Sequence, residues 1–215
     1  MNTPETKFQN EFKIDEKSEI YKIWKSWISV KEMLFDRGYG NIDDYWTCDI
    51  FMQNYSMFED IRTKLELLYS RDEEYVRVIW ISNVDIADIK NIYSTMKKEA
   101  VNHYIIVCVK ITKAAQTAIR DLKSLRCYVE VFTEDELQYN RTRHNLVPQH
   151  ILLTKDERDA VLKKWNITKN QVPEIKYSDP ISRYFGASIW DMFKIVRESD
   201  NIDGSYSVTY RIVTP

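Results

Sequence analysis

The stretch "YVRVIWISNVDIADIKNIYSTMKKEAVNHYIIVCVK", residues 75–110, decides the fold of this chain. Six of its first eight residues are β-branched or aromatic, which is typical of a strand. The next segment spaces its apolar residues three and four apart, so it predicts a helix whose buried face carries Ile89, Ile92, Tyr93 and Met96. The stretch ends in "HYIIVCVK", an apolar segment typical of a buried strand. A strand, a helix and a second strand in this order predict a crossover between parallel strands.

The following segments repeat this alternation. "TKAAQTAIRDLKSL" predicts a helix with Thr112 as its cap, and "CYVEVF" predicts a third strand. Thr133 and Glu136 have the spacing of a capping box, which predicts one more helical turn. These elements predict a largely parallel sheet flanked by helices.

The segments before the stretch add a long helix. "SEIYKIWKSWISVKEMLFDRGYG" has amphipathic spacing, with Ser18 as a start signal and Gly38 as a stop. For residues 41–70 we favour a short helix followed by a strand from Lys64 to Tyr69. Residues 1–141 are therefore expected to form an α/β domain with a mixed, largely parallel sheet.

Near residue 142 the sequence changes to short elements with closely spaced start and stop signals, and a small α+β domain is expected at residues 142–215. Thr154 to Glu157 and Thr168 to Gln171 are two capping boxes, and Pro173 ends the second turn. Asp179-Pro180 predicts another helix start, and Gly186 its end. "MFKIVRES" and "SYSVTYRIV" predict an antiparallel hairpin through "DNIDG".

Composition excludes some classes of function. The formal net charge is −2 and charged residues make up 30% of the chain, so no global basic field draws it onto nucleic acid or anionic lipid. No apolar run reaches the ~18 residues that a membrane span needs. The three cysteines, Cys48, Cys108 and Cys127, are odd in number and far apart, which indicates buried thiols in a reducing compartment.

Catalytic and metal motifs are weak. His144 and His150 are six residues apart with no cysteine nearby, so we expect no metal site. A nuclease would need an acidic residue and Glu-x-Lys on neighbouring strands. Glu174–Lys176 and Asp88–Lys90 have that form or its aspartate analogue, but Glu130 in the third strand is not followed by lysine. We interpret these groups as surface charge and expect no catalytic residue and no cofactor.

One basic group follows a predicted strand, and its members are Lys110, Lys113, Arg120 and Lys123. The start of a helix with free backbone N–H groups can bind a DNA phosphate. A solvated helix face is the alternative interpretation of these charges.

The last seventy residues resemble the carboxy-terminal domain of the fifth subunit of the nuclear RNA polymerases, which has a homologous counterpart in the archaeal RNA polymerase. The family pattern H-x-L/I-V-P-K-H, then L-P-x-I, then D-P-x-x-R-x-x-G, then V-x-I-x-R-x-S, then a glycine turn and Y-R is matched, in order, by His144, Val147, Pro148, His150, Pro173, Ile175, Asp179, Pro180, Arg183, Gly186, Ile195, Arg197, Ser199, Gly204, Tyr210 and Arg211. The first helix also resembles the family, at Trp24, Val30, Met33, Asp36, Arg37, Gly38 and Tyr39.

The resemblance implies a non-catalytic subunit of a multisubunit DNA-dependent RNA polymerase, present in one copy. The small assembly domain would dock on the largest subunit, beside other small subunits, through the matched residues. The amino-terminal jaw domain would have a nuclease-like fold and lie near downstream duplex DNA. The family's Thr-Pro-Ser-Ala motif falls on Thr112–Ala115, so the resemblance implies a DNA-proximal group of Lys110, Thr112, Lys113, Ala114 and Ala115.

Departures from the family pattern keep other interpretations open. Gln149 replaces a usual lysine, and Trp190 replaces a usual glycine, so we expect that turn to be built differently. A free-standing nuclease with a metal site and a protein-binding adaptor outside any polymerase are the alternatives. A cellular protein would act in the nucleus, and a protein of a large DNA virus in the virion and host cytoplasm; the divergent jaw leads us to favour the virus. The two histidines are expected to hold the connector between the domains through hydrogen bonds.

Overall fold

The computed structural model describes residues 18–40, 46–72, 74–99, 101–123, 125–198 and 205–215. These residues divide into two compact units. The first contains the described residues up to Ile28 and those from Trp46 to Gln138. The second contains those from Ser29 to Gly40 and from Tyr139 to Pro215. The division of the sequence after residue 141 did not assign Ser29 to Gly40 to the second unit.

The first unit is built on a four-stranded sheet in the order β1-β2-β3-β4. Strand β1 pairs antiparallel with β2, while β2, β3 and β4 are parallel. The strands are β1 Glu66–Arg71, β2 Glu74–Val84, β3 His103–Ile111 and β4 Tyr128–Thr133. The predicted mixed, largely parallel sheet is confirmed. The strand expected at Lys64 to Tyr69 is also present, shifted by two residues.

The helices of the first unit follow the predicted alternation. They are α1 Glu19–Asp36, which continues into the second unit, α2 Cys48–Tyr55, α3 Ile86–Glu99 and α4 Lys113–Lys123, with a short 3-10 turn at Arg62–Lys64. Ile89, Ile92 and Met96 of α3 are buried against the sheet with Tyr104 and Ile106. The spacing of apolar residues in the sequence therefore identified the packed face of this helix.

Several predicted local signals are confirmed. The Ser18 hydroxyl accepts a hydrogen bond from the Tyr21 N–H, 3.3 Å away, and Gly38 ends α1 at a φ of 82°. Thr133 and Glu136 form the reciprocal hydrogen bonds of a capping box, but around a turn and not around a helix.

All three cysteines are free and buried. Burial raises the pKa of the Cys108 thiol to about 11. This agrees with the prediction of buried thiols. In the part of the chain that the structure describes, no helix is long and apolar enough to span a membrane.

The second unit is a four-stranded sheet in the order β5-β7-β8-β6 with two helices. The elements are β5 Gln149–Leu152, α5 Lys155–Trp165, β6 Glu174–Lys176, α6 Pro180–Tyr184, β7 Met192–Glu198 and β8 Tyr206–Thr214, with 3-10 turns at Arg141–Arg143 and Lys169–Gln171. The predicted hairpin is β7 and β8, and its turn, with Ser199 and Gly204, lies outside the described residues. Strands β5 and β6 were not predicted.

The two faces of this second sheet bury different sets of residues. Phe193 and Ile195 of β7 lie on one face, in a cluster with α6. Met192 lies on the opposite face, in a cluster with Leu162 of α5 and Ile212 of β8. Successive side chains of a strand point to opposite faces, so β7 contributes buried residues to both clusters.

The turn before β7 contains Trp190. We expected this residue, in place of the usual glycine, to require a turn that is built differently, and that expectation stays a prediction. The backbone of Trp190 is left-handed, with a φ of 75°. The Trp190 N–H donates to the Val213 carbonyl at 2.9 Å, and the Val213 N–H donates to the Asp191 carbonyl at 2.8 Å. These hydrogen bonds hold the turn to β8.

A buried ion pair joins distant segments of the first unit. Arg62 donates from Nε to Glu134 Oε1 at 2.5 Å and from its second terminal nitrogen to Glu134 Oε2 at 2.9 Å. The same guanidinium contacts Glu19 Oε1 at 2.6 Å. The side chains of Arg62 and Glu134 are 8% and 7% exposed, but that of Glu19 is 74% exposed. Hydrogen bonding to Glu134 raises the pKa of Arg62.

We predict that the two carboxylates on Arg62 contribute very differently to stability. Glu134→Ala leaves a buried guanidinium without its bidentate partner, so it should lower the free energy of unfolding by about 3–5 kcal/mol. Glu19→Ala removes an exposed partner of the same guanidinium and should cost less than about 1 kcal/mol. Urea unfolding of both variants measures the difference. Equal losses would contradict the interpretation.

Candidate functional site

The first feature of the second unit is an arginine clamp, formed by Arg37 and the end of α6. Arg37 follows α1 and is buried. Its Nε donates to the Tyr184 carbonyl and its Nη2 to the Arg183 carbonyl, each at 2.8 Å. The Arg183 carbonyl also accepts from the Gly186 N–H at 3.0 Å, so Arg37 gives this carbonyl a further donor and gives the Tyr184 carbonyl, at the end of the helix, a side-chain donor. A positive fork at the carboxyl end of α6 is also favoured by the helix dipole.

Gly186 leaves room for the arginine clamp. It has a φ of 63°, and a Cβ placed there would lie 3.1 Å from Cζ of Arg37. Both the backbone conformation and the close approach therefore favour glycine. The segment Asp36–Tyr39 at the end of α1 and the D-P-x-x-R-x-x-G motif therefore meet at this point.

A polar network lies beside the clamp. The Tyr184 hydroxyl donates to Asp36 Oδ2 at 2.7 Å and accepts from Asn140 Nδ2 at 3.0 Å. Asn140 Nδ2 also donates to Glu32 Oε2 at 2.6 Å. Burial, and then the hydrogen bond to Asp36, raise the pKa of Tyr184. The network ties the end of α1 to the start of the carboxy-terminal segment within the second unit.

The two predicted histidines hold the connector through local hydrogen bonds. His144 Nδ1 accepts from the Leu146 N–H at 3.2 Å, and His150 Nδ1 donates to the Pro148 carbonyl at 2.7 Å. The His150 ring also packs edge-on against Phe193, with centroids 5.9 Å apart. Both rings therefore form hydrogen bonds within this segment, which lies inside the second unit, and their role in holding a connector between the domains stays a prediction. Leu146, between them, is 87% exposed.

The sequence-predicted start of α6 is also as expected. Asp179 Oδ1 accepts from the Ile181 N–H at 2.8 Å, and Pro180 occupies the first turn of the helix. Val147 packs against the cluster that contains Ile181. These residues stabilise the fold of the second unit, so a structural role is sufficient to explain their place in the family pattern.

Other matched residues lie at the surface of the second sheet. Arg197 and Arg211 are both exposed, and their positions in the register place them on one face, with His150. Arg211 Nη1 approaches the Glu174 carbonyl at 3.4 Å. Tyr210, on the opposite face, packs edge-on against Trp165 with centroids 6.4 Å apart. Pro173 accepts a hydrogen bond from Ile212 at 2.9 Å and is itself exposed.

The group implied to lie near DNA is at the carboxyl edge of the first sheet. Lys110, Thr112, Lys113 and Ala114 are exposed, but Ala115 is buried in the core. Thr112 Oγ1 accepts from the Ala115 N–H at 3.3 Å, which confirms the predicted cap. Ala115 therefore anchors the start of α4, and its side chain is not available to a ligand.

The charge at this edge is mixed. Asp85 follows β2, the neighbouring strand, and its Oδ1 accepts from the Ala87 and Asp88 N–H groups at 2.7 and 3.0 Å. These bonds lower the pKa of Asp85, so it carries a negative charge. A phosphate would therefore be attracted to Lys110 and Lys113 and repelled by Asp85.

The residues of the nuclease pattern do not converge. Glu174 and Lys176 lie on β6 in the second unit, while Asp88 and Lys90 lie on α3 in the first. Glu130 on β4 is paired with His103 at 2.7 Å. Within the described residues, no three His, Cys, Asp or Glu side chains are arranged to hold a metal ion.

Sequence reasoning missed the polar network of Glu32, Asp36, Asn140 and Tyr184. Asn140 carried one usable signal, since an asparagine before a short turn is a common cap, and its Oδ1 does accept from the Thr142 N–H at 3.0 Å. Its contact to Glu32 spans 108 positions of the chain, and its contact to Tyr184 spans 44. Spacing along the sequence carries no information about such contacts.

Comparisons with known proteins identify relatives of this chain. The sequence model of the family "RNA polymerase Rpb5, C-terminal domain" matches residues 139–213. The chain is 30% identical to the DNA-directed RNA polymerases I, II, and III subunit RPABC1 of Caenorhabditis elegans, over 93% of this chain and 99% of that protein. It is 38% identical to the corresponding subunit of Dictyostelium discoideum, over 66% of this chain and 72% of that protein.

The arginine clamp generates a test of stability. Arg37→Lys keeps the charge but loses the fork that reaches two carbonyls, so it should lower the free energy of unfolding by about 1.5–3 kcal/mol. Arg197→Lys, at an exposed guanidinium, is the matched control and should change it by no more than about 0.5 kcal/mol. Urea unfolding compares the two, and a similar effect of both substitutions would refute the role of the clamp.

His150 generates a pH test. Burial lowers its pKa from 6.5, so the unfolded chain binds a proton at a higher pH than the folded chain. Its contribution to stability is therefore complete above about pH 6.5 and is lost as the pH falls below that value. His150→Asn should flatten the fall of Tm between pH 7.5 and pH 5.5. His144→Asn, at an exposed ring, is the control and should leave the slope unchanged.

Proposed function

Because the chain belongs to the Rpb5 family of RNA polymerase subunits, we propose that it acts as one non-catalytic subunit of a multisubunit DNA-dependent RNA polymerase. The observation that carries this proposal is the relationship to the nematode subunit, which extends over 99% of that protein. Both units are therefore covered by the relationship, and not only the carboxy-terminal domain.

The second unit is the proposed assembly domain, which docks on the largest subunit and neighbouring small subunits. Three of its features support this role. Leu146 is presented to solvent by a connector that two histidine hydrogen bonds hold. Arg197 and Arg211 are exposed, and within the described residues no carboxylate forms a salt bridge with either. Arginine side chains are frequent anchors of protein interfaces.

The first unit is the proposed jaw domain, whose carboxyl edge lies near downstream duplex DNA. Lys110 and Lys113 are exposed there, and the amino-terminal N–H groups of α4 point out of the helix. Asp85 limits the attraction, so we propose a weak contact that depends on the polymerase to hold the DNA nearby. This agrees with a net charge of −2, which gives no independent affinity for DNA.

A nuclease function is not favoured. Two acidic side chains beside the parallel strands are already paired, Glu130 with His103 and Glu134 with Arg62. Paired carboxylates are poor ligands for a catalytic metal ion, because binding would break the existing bonds. The contribution of this subunit to transcription is therefore architectural.

We propose a nuclear location, as for a cellular polymerase subunit. The relatives named above come from a nematode and a slime mould, and their names assign them to polymerases I, II and III. The viral origin that we favoured from the sequence gains no support from these relatives.

The proposal is tested by purifying the tagged chain from its native source at high salt and identifying its partners by mass spectrometry. We expect a stoichiometric set that contains the two large polymerase subunits. In the same assembly, a photo-crosslinking amino acid at position 113 should label downstream DNA. The matched control is the same amino acid at Lys97, an exposed position near the carboxyl end of α3, and it should not label DNA.

The two readouts fail separately. A chain recovered alone, or with unrelated partners, would overturn the polymerase role. Recovery of the large subunits without DNA labelling from position 113 would retain that role and overturn only the proposed DNA contact.

A further inference from the structure

Trp190 combines a costly backbone conformation with an exposed side chain. Its φ of 75° lies in the left-handed region, which disfavours every residue with a Cβ. The residue is 42% exposed, so the core of the second unit does not enclose the whole side chain. A glycine would satisfy the same backbone hydrogen bonds without strain. The side chain therefore has a reason to be there that lies beyond the folding of this turn.

The turn around Trp190 is held firmly. The Trp190 N–H donates to Val213, as described above, and the Trp190 carbonyl accepts a hydrogen bond from Arg158 Nη1 of α5 at 3.2 Å. Asp191 Oδ2 accepts from the Ser188 N–H at 2.7 Å, which closes the same turn. A rigid backbone presents the indole in one orientation, and preorganised aromatic side chains are effective anchors for a binding partner.

The indole forms one wall of a surface pocket, whose other walls are Thr168, Lys169 and Asn170. The Thr168 hydroxyl and N–H both donate to Gln171 Oε1, at 3.0 and 2.8 Å, so this short turn is also held in place. The groups that the pocket presents are an apolar ring face, an ammonium group and a side-chain amide. Such a pocket suits an apolar side chain with an anion beside it.

The charge of the pocket selects an acidic occupant. Lys169 is partly buried beside Trp190, and within the described ranges no carboxylate lies within salt-bridge distance of its ammonium. Asp159 interacts with it electrostatically, but this carboxylate is already bonded to Arg158 at 2.8 Å. A partner carboxylate at Lys169 would complete the pocket.

We infer that the pocket of Trp190 and Thr168–Asn170 binds a polypeptide segment of a neighbouring polymerase subunit that carries a carboxylate next to an apolar side chain. The apolar side chain stacks on the indole, and the carboxylate pairs with Lys169. This inference rests on the proposed function, since the partner is a subunit of the same assembly. It adds to the assembly domain a contact at the residue where this chain departs from the usual glycine.

The first experiment is oxidative footprinting of the isolated chain and of the purified assembly, read by mass spectrometry. Trp190 should be oxidised in the isolated chain and protected in the assembly. Met57, which is 76% exposed in the first unit, reports the radical dose in both samples. Unchanged oxidation of Trp190 in an assembly that contains the large subunits would overturn this inference and leave the proposed function intact. A chain recovered alone would overturn both.

Substitutions separate binding from folding. Trp190→Gly should raise the Tm of the isolated chain by about 2–4 °C, because it relieves the left-handed strain. In cells that express it together with the wild-type chain, it should be incorporated roughly tenfold less, as expected for a buried tryptophan anchor. A Tm that falls, with incorporation unchanged, would show that the indole serves only the folding of this chain.

The proposed pairing of Lys169 with a partner carboxylate is tested by Lys169→Glu, which should reduce incorporation in the same competition. Lys163→Glu makes the same charge change at an exposed position of α5 and is the matched control. Equal incorporation of the two variants would refute a partner carboxylate at Lys169.

Discussion

The second unit depends on one guanidinium, that of Arg37, at the end of a helix only five residues long. Helix α6, Pro180–Tyr184, has too few turns to be stable alone. Asp179 satisfies its start, and Arg37 satisfies two carbonyls at its end. Because Arg37 comes from the end of α1, a segment that is distant in sequence stabilises this short helix. The fold of the carboxy-terminal segment is thus completed by residues from the beginning of the chain.

The sequence predicted the first unit well because its elements are long enough to show a period. Strand β2 has 11 residues and β3 has 9, and both are rich in β-branched residues. Helix α3 carries its buried face over 14 residues. Strands β5 and β6, with 4 and 3 residues, show no usable alternation. Their pairing with β7 and β8 follows from tertiary packing, which local patterns do not encode.

The candidate site was predictable only where a local hydrogen bond was involved. Thr112, Asp179 and the two histidines act on backbone groups two or three residues away, so their spacing revealed them. The Tyr184 network and the burial of Ala115 depend on segments far apart in sequence. The left-handed backbone of Trp190 was also not predicted, because hydrogen bonds to β8, a segment distant in sequence, hold it in place.

Residues that are engaged inside the fold and residues that are exposed differ in what they can offer a partner. Residues that satisfy backbone groups inside the second unit, such as Arg37 and Asp179, are already engaged and have little left to offer a partner. Residues that the fold does not need, such as Leu146 and the ring face of Trp190, remain exposed on rigid supports. A subunit without a catalytic site acts through its surfaces, so we propose that these exposed side chains contribute to its specificity for partners.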